Sequence, residues 1–124
     1  MEAHKGPVLV VDDDCDIRDA LHDALAGEGY ETVEATDGRQ ALDYLRSNAR
    51  PSVILLDWNM APMNAPQFMT ELAKEKPSIS SVPVVLLTAD ARAPEKAKYH
   101  PFSGYLMKPV SLDALFEVLG RYCA

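Results

Sequence analysis

The chain has 124 residues, enough for one domain with a proper hydrophobic core and too few for two. Its 48% hydrophobic and 25% charged content is ordinary for a soluble globular protein, and no apolar run is long enough to span a membrane. The formal net charge of −7 argues against nucleic-acid binding, which calls for basic patches.

In chain order, "MEAHKGP" lacks the apolar core of a signal peptide, which predicts a cytoplasmic protein. "PVLVVD" (7–12) then reads as a strand covered on both faces. It ends abruptly in Asp12, Asp13 and Asp14. Two unit charges about 6 Å apart repel by roughly 3 kcal/mol at an effective dielectric of about 20, so such a cluster calls for a compensating cation. Asp14 has a plainer use as the N-cap of the helix that follows. In that helix Ile17, Ala20, Leu21, Ala24 and Leu25 share a face, and Gly27 and Gly29 close it.

"YETVEA" (30–35) is a shorter, more polar strand suited to a position near a sheet edge. Asp37 and Gly38 introduce a helix with Ala41, Leu42 and Leu45 on one face. "SVILLD" (52–57) is a second buried strand, and "PQFMTELAKEK" (66–76) a helix opened by proline. "VPVVLLT" (82–88) is a further strand and "GYLM" (104–107) the fifth. Between them Pro94 and Pro101 leave room for barely two turns, so that helix is expected to be shortened or irregular. Ser111 caps a final helix with Leu112, Leu115, Phe116 and Leu119 in line. Cys15 and Cys123 have neither metal-ligand nor redox spacing and read as thiols with packing roles. His4, His22 and His100 show no ligand spacing and read as surface residues.

Alternating strands and helices predict an α/β fold: a parallel sheet with helices on both faces and right-handed crossovers. In such sheets ligands bind at the carboxyl ends of the strands. Four strands here end in a chemically capable group: Asp12 and Asp13 on the first, Asp57 on the third, Thr88 on the fourth, and Lys108 just past the fifth. All four fall on one rim.

The pieces "VLVVDDD", "VILLDWNM", "VVLLTAD" and "GYLMKP" together resemble the receiver domain of two-component response regulators, above all the stand-alone chemotaxis type. The resemblance runs from about Gly6 to Tyr122. It implies a (βα)5 fold with strand order 2-1-3-4-5, and one receiver domain over residues 1–124 with no output domain. It also implies that Asp57 accepts a phosphoryl group from a phosphohistidine on a sensor kinase or phosphotransfer protein. Mg²⁺ or Mn²⁺ would sit on Asp13, Asp57, the backbone carbonyl of Asn59 and, through water, Asp12. Thr88, Lys108 and Tyr105 take phosphate-binding and switch roles in the resemblance, while the side chains of Asn59 and Asp90 tune the phosphate's lifetime. Its peptide before Pro109 is usually cis, and Trp58 is placed beside the acidic rim as a spectroscopic reporter. Output is expected through a protein target, with no DNA or membrane contact; a homodimer is compatible with the sequence.

Two departures stand out. "MAPMNAP" (60–66) displaces the usual proline and puts Ala65 where glycine is expected, which predicts an altered loop over 58–65 and brings metal affinity into question. The stretch between Thr88 and Lys108 is short and carries an aromatic cluster, which predicts a changed output surface. Competing readings are a degenerate receiver that binds partners without phosphorylation, and a haloacid-dehalogenase-type phosphatase using Asp12 and Asp14. The phosphatase leaves Asp57 without a role.

Overall fold

A computed structural model describes residues 6–48, 50–92, 95, 98 and 100–123. Five strands, β1 (Val8–Val11), β2 (Thr32–Ala35), β3 (Val53–Asp57), β4 (Val84–Thr88) and β5 (Gly104–Met107), form one parallel sheet in the order β2-β1-β3-β4-β5. The expected architecture and order are therefore observed. The polar "TVEA" segment takes one edge, while every residue of β1, β3 and β4 is buried.

Alternate residues of the central strands feed two cores. Leu9, Val11, Ile54, Leu56 and Leu86 point to one face, which is covered by α2 (Gly38–Ser47), α3 (Ala65–Leu72) and the single turn α4 (Pro77–Ser80). Val8, Val10, Leu55, Val85 and Leu87 point to the other, covered by α1 (Cys15–Gly27) and α5 (Leu112–Tyr122). Each fully buried aliphatic side chain contributes about 1.5–3 kcal/mol, so the interior of the sheet anchors everything attached to its ends.

The caps explain why the helices begin where they do. Asp14 accepts from the Asp16 N–H, Asp37 from Arg39 and Gln40, and Ser111 from Ala114, each satisfying amides left open at a helix start. Asn64 and Gln67 form a reciprocal capping box at α3. Gly29, at φ +85°, follows the end of α1 in a conformation that favours glycine.

Two expectations need correction. The helix predicted over 66–76 begins one residue earlier and stops at Leu72, because Pro77 opens a separate turn, α4, that the apolar pattern does not reveal. Ala65 meets no conformational obstacle: it is the buried first residue of α3, and among the described residues no non-glycine has positive φ. The peptide before Pro62 is cis, as is the one between Lys108 and Pro109, the latter as expected. Between β4 and β5, Ala93, Pro94, Lys96, Ala97 and Tyr99 lie outside the described residues, so the shortened-helix expectation falls largely outside them. No helix among the described residues is long and apolar enough to cross a membrane.

Candidate functional site

The parallel register delivers four strand ends to one rim. Asp57 is the last residue of β3 and pairs with Leu87, so it lies one step from Thr88, the last residue of β4. Thr88 in turn pairs with Met107, and the Lys108 N–H donates to the Thr88 carbonyl at 2.7 Å. Asp12 directly follows β1, and its N–H extends the ladder to the Ala35 carbonyl.

Asp12 is fully buried. Its Oδ1 accepts from the Asp14 N–H at 3.0 Å and its Oδ2 from Lys108 Nζ at 2.9 Å. The same ammonium donates to Asp57 Oδ1 at 2.9 Å, so one lysine bridges the ends of β1 and β3. Asp13 is exposed, yet a carboxylate oxygen of each of Asp12, Asp13 and Asp57 lies within 4.8 Å of the others. Three carboxylates thus face one ammonium.

The electrostatics follow from this crowding. Burial pushes the Asp57 carboxyl above its ordinary range, the Lys108 hydrogen bond pulls it back, and the charges of Asp12 and Asp13 add to the upward push. For Lys108 burial acts downward, but the hydrogen bonds and charges of Asp57 and Asp12 together hold the ammonium above its usual value. An oxygen-only, net-negative cluster with one solvent-facing member suits a hard divalent cation that keeps several waters. The residues present therefore fit Mg²⁺ or Mn²⁺.

The other expected residues surround this cluster in different ways. Asn59 is exposed and lines, with Asp13, Trp58 and Asn64, an open cavity of about 350 Å³ beside the acids. Trp58 is half-buried there, as expected. Thr88 is buried, and its Oγ1 accepts from the Asp90 N–H at 3.0 Å, which leaves its own O–H as the donor. Asp90 accepts from the Arg92 N–H at 2.8 Å and pairs with its guanidinium at 3.6 Å. Tyr105 is 53% exposed, on the outer edge strand.

Some sequence readings resolve differently. Asp14 is turned to the start of α1 as a cap, which takes the second acid out of the Asp12/Asp14 phosphatase pattern. Cys15 is exposed and Cys123 buried, with no disulfide between them. His22 is exposed and contacts Thr32 and Glu34; His100 packs edge-on against Phe102; His4 lies outside the described residues. Arg18 escaped the sequence reading altogether: its Nη1 donates to the Asp12 carbonyl at 2.7 Å. A separation of six residues across a strand-to-helix turn carries no periodic signal that could have revealed it.

Residues 8–120 match the family described as the response regulator receiver domain. The chain belongs to that family. The receiver is 30% identical to chemotaxis protein CheY1 of Helicobacter pylori, over 90% of this chain and 92% of that protein. It superposes on the solved structure of CheY4 from Vibrio cholerae with a TM-score of 0.83 and 32% identity, covering 94% of this chain and 98% of the other. It is also 34% identical to regulatory protein AtoC of Escherichia coli over 92% of this chain, but spans only 24% of AtoC's length. The fold and the stand-alone chemotaxis-type relatives agree with the resemblance carried by the strand-end motifs. Receiver domains are signalling modules that interact with histidine kinases and downstream targets.

Proposed function

We propose that this receiver accepts a phosphoryl group on Asp57 from a phosphohistidine of a sensor kinase or phosphotransfer protein, and uses the change to alter contacts with a downstream protein. The observation that carries the reading is Lys108 bridging Asp12 and Asp57 while Asp13 borders the same point. Phosphoryl transfer asks little covalent chemistry of a protein beyond in-line placement and neutralisation of charge.

In this reading Asp57 is the nucleophile: one carboxylate oxygen forms the new P–O bond as the P–N bond of the donor breaks. Lys108 is already within hydrogen-bond reach of that carboxylate and can follow the charge onto the phosphoryl oxygens. Asp12, Asp13, Asp57 and the Asn59 carbonyl would hold Mg²⁺, which when bound neutralises charge on the transferred group. Thr88 offers its hydroxyl proton to a phosphoryl oxygen. Asn59 and Asp90, at the mouth, meet the water that later hydrolyses the acyl phosphate, and so tune its lifetime. Tyr105, exposed on the edge strand β5, belongs to the surface whose contacts change with Thr88. The reaction takes place in the cytoplasm and modifies the receiver itself.

Intact mass after incubation with acetyl phosphate and Mg²⁺ tests this. One added phosphoryl group is expected, lost with EDTA and in Asp57→Ala. A folded protein with no adduct would instead be a binding module that works without phosphorylation. Multiple-turnover hydrolysis that survives Asp57→Ala but not Asp12→Asn would point to a phosphatase.

A further inference from the structure

Asp12 is held at every polar atom. Its carboxylate is taken by Asp14 and Lys108, and its N–H by the last rung of the ladder to β2. Beyond that rung β2 turns away, and Asp37 starts the cap of α2. The Asp12 carbonyl therefore has no strand partner to continue with. Arg18, one turn into α1 and only 15% exposed, fills the gap: Nη1 donates to that carbonyl at 2.7 Å while Nε donates to Glu34 Oε1 of β2 at 3.2 Å.

The carbonyl concerned belongs to the peptide that joins Asp12 to Asp13. A planar guanidinium gripping its oxygen fixes the orientation of that peptide, and so the directions in which two neighbouring acids leave the chain. Glu34 in turn fixes the guanidinium. For metal binding the charge of Arg18 works the other way, since a cation beside an acidic pocket weakens the pocket's pull on another cation.

We propose that Arg18 is a positioning residue for the divalent-cation site, acting through the Asp12–Asp13 peptide and held in place by Glu34. The proposal rests on the reading that Asp12 and Asp13 bind Mg²⁺. It makes a prediction whose sign separates geometry from charge. Arg18→Met makes the pocket more negative, which by charge alone tightens binding; loss of the grip loosens it.

Calorimetric titration of the full chain with Mg²⁺ alone is the test, paired with thermal unfolding in EDTA. Arg18→Met is expected to weaken Mg²⁺ binding about tenfold, the lower end of what outer partners of metal ligands contribute. Arg18→Lys, which keeps the charge and one donor, recovers part of that loss. Glu34→Gln, whose lost charge also weakens binding, is read instead by the Asp13 amide with Arg18 intact, and serves if Arg18→Met fails to fold. In the metal-free protein the Asp13 amide resonance moves in both Arg18→Met and Glu34→Gln. Unchanged or tighter binding in a cooperatively folded Arg18→Met, or no effect of Glu34→Gln on the Asp13 amide, overturns the positioning role. Absence of Mg²⁺ binding in the wild type overturns the metal reading itself, and the role of Arg18 with it.

Discussion

Lys108 stands between two carboxylates that would otherwise face each other across a buried gap, and its loss should be felt before any chemistry begins. Asp12 is fully buried and Asp57 nearly so, and both would be left without their shared cation. Removing one partner of such a cluster costs about 3–5 kcal/mol, so Lys108→Met should lower the metal-free melting temperature by about 10–20 °C, and Mg²⁺ should restore part of it. Asp57→Asn should do the opposite. It removes one of three crowded charges, keeps an oxygen for Lys108 and leaves the Lys108–Asp12 pair intact, which should add about 1 kcal/mol in EDTA at neutral pH.

The pH dependence carries the same signature. Asp57 has a raised folded-state pKa, so the folded protein holds that proton more tightly than the unfolded chain. The resulting stability is complete below the ordinary carboxylate value of about 4 and is lost as pH rises through the raised value. Lys108 is raised too, so its contribution persists through neutral pH and fades only as pH climbs through its folded value, above about 10.4. Denaturant melts of the metal-free wild type should therefore weaken from pH 4 upward in a step that Asp57→Asn lacks.

At the scale of elements, the junction of α2 and α3 supports the same rim from below. A Cβ placed on Gly38 would lie 2.9 Å from the Phe68 Cβ and 3.0 Å from Met63. The Phe68 atom is fixed to its own backbone, so the two helices would have to part. Gly38→Ala should cost about 1 kcal/mol or more, although alanine is the better helix former by about 1 kcal/mol; a stabilised variant in chemical denaturation would refute this packing. What the sequence disclosed of these elements follows from physics. The buried strands announce themselves because both faces are apolar, and the capped helices because Asp14, Asp37 and Ser111 precede clear apolar stripes. The turn at Pro77–Ser80 was illegible because four residues cannot display a helical period. The early stop of α3 at Leu72 was hidden because Lys74, Glu75 and Lys76 continue a pattern that reads equally well as helix or turn.

For the whole molecule, the four strand-end groups could be read from the sequence because a parallel sheet sends all carboxyl ends to one side, whatever the details of its loops. The lysine's double contact and the grip of Arg18 on the Asp12 carbonyl could not, since both are set by side-chain reach across elements. A cation bound only by the folded state stabilises it by RT ln(1 + [L]/Kd), about 2.7 kcal/mol at a hundred times Kd. Thermal scans across a Mg²⁺ series should follow that logarithm in the wild type and flatten in Asp13→Asn.

The central claim is that the carboxylate at the end of β3, and no other acid of the cluster, receives the phosphoryl group. Borohydride reduction of protein treated with acetyl phosphate and Mg²⁺, followed by peptide mapping, reads this directly. Homoserine at position 57 and unchanged aspartate at 12 and 13 is the predicted result. Conversion at either of those two positions with 57 untouched, or no conversion in a folded, Mg²⁺-bound protein, would contradict it.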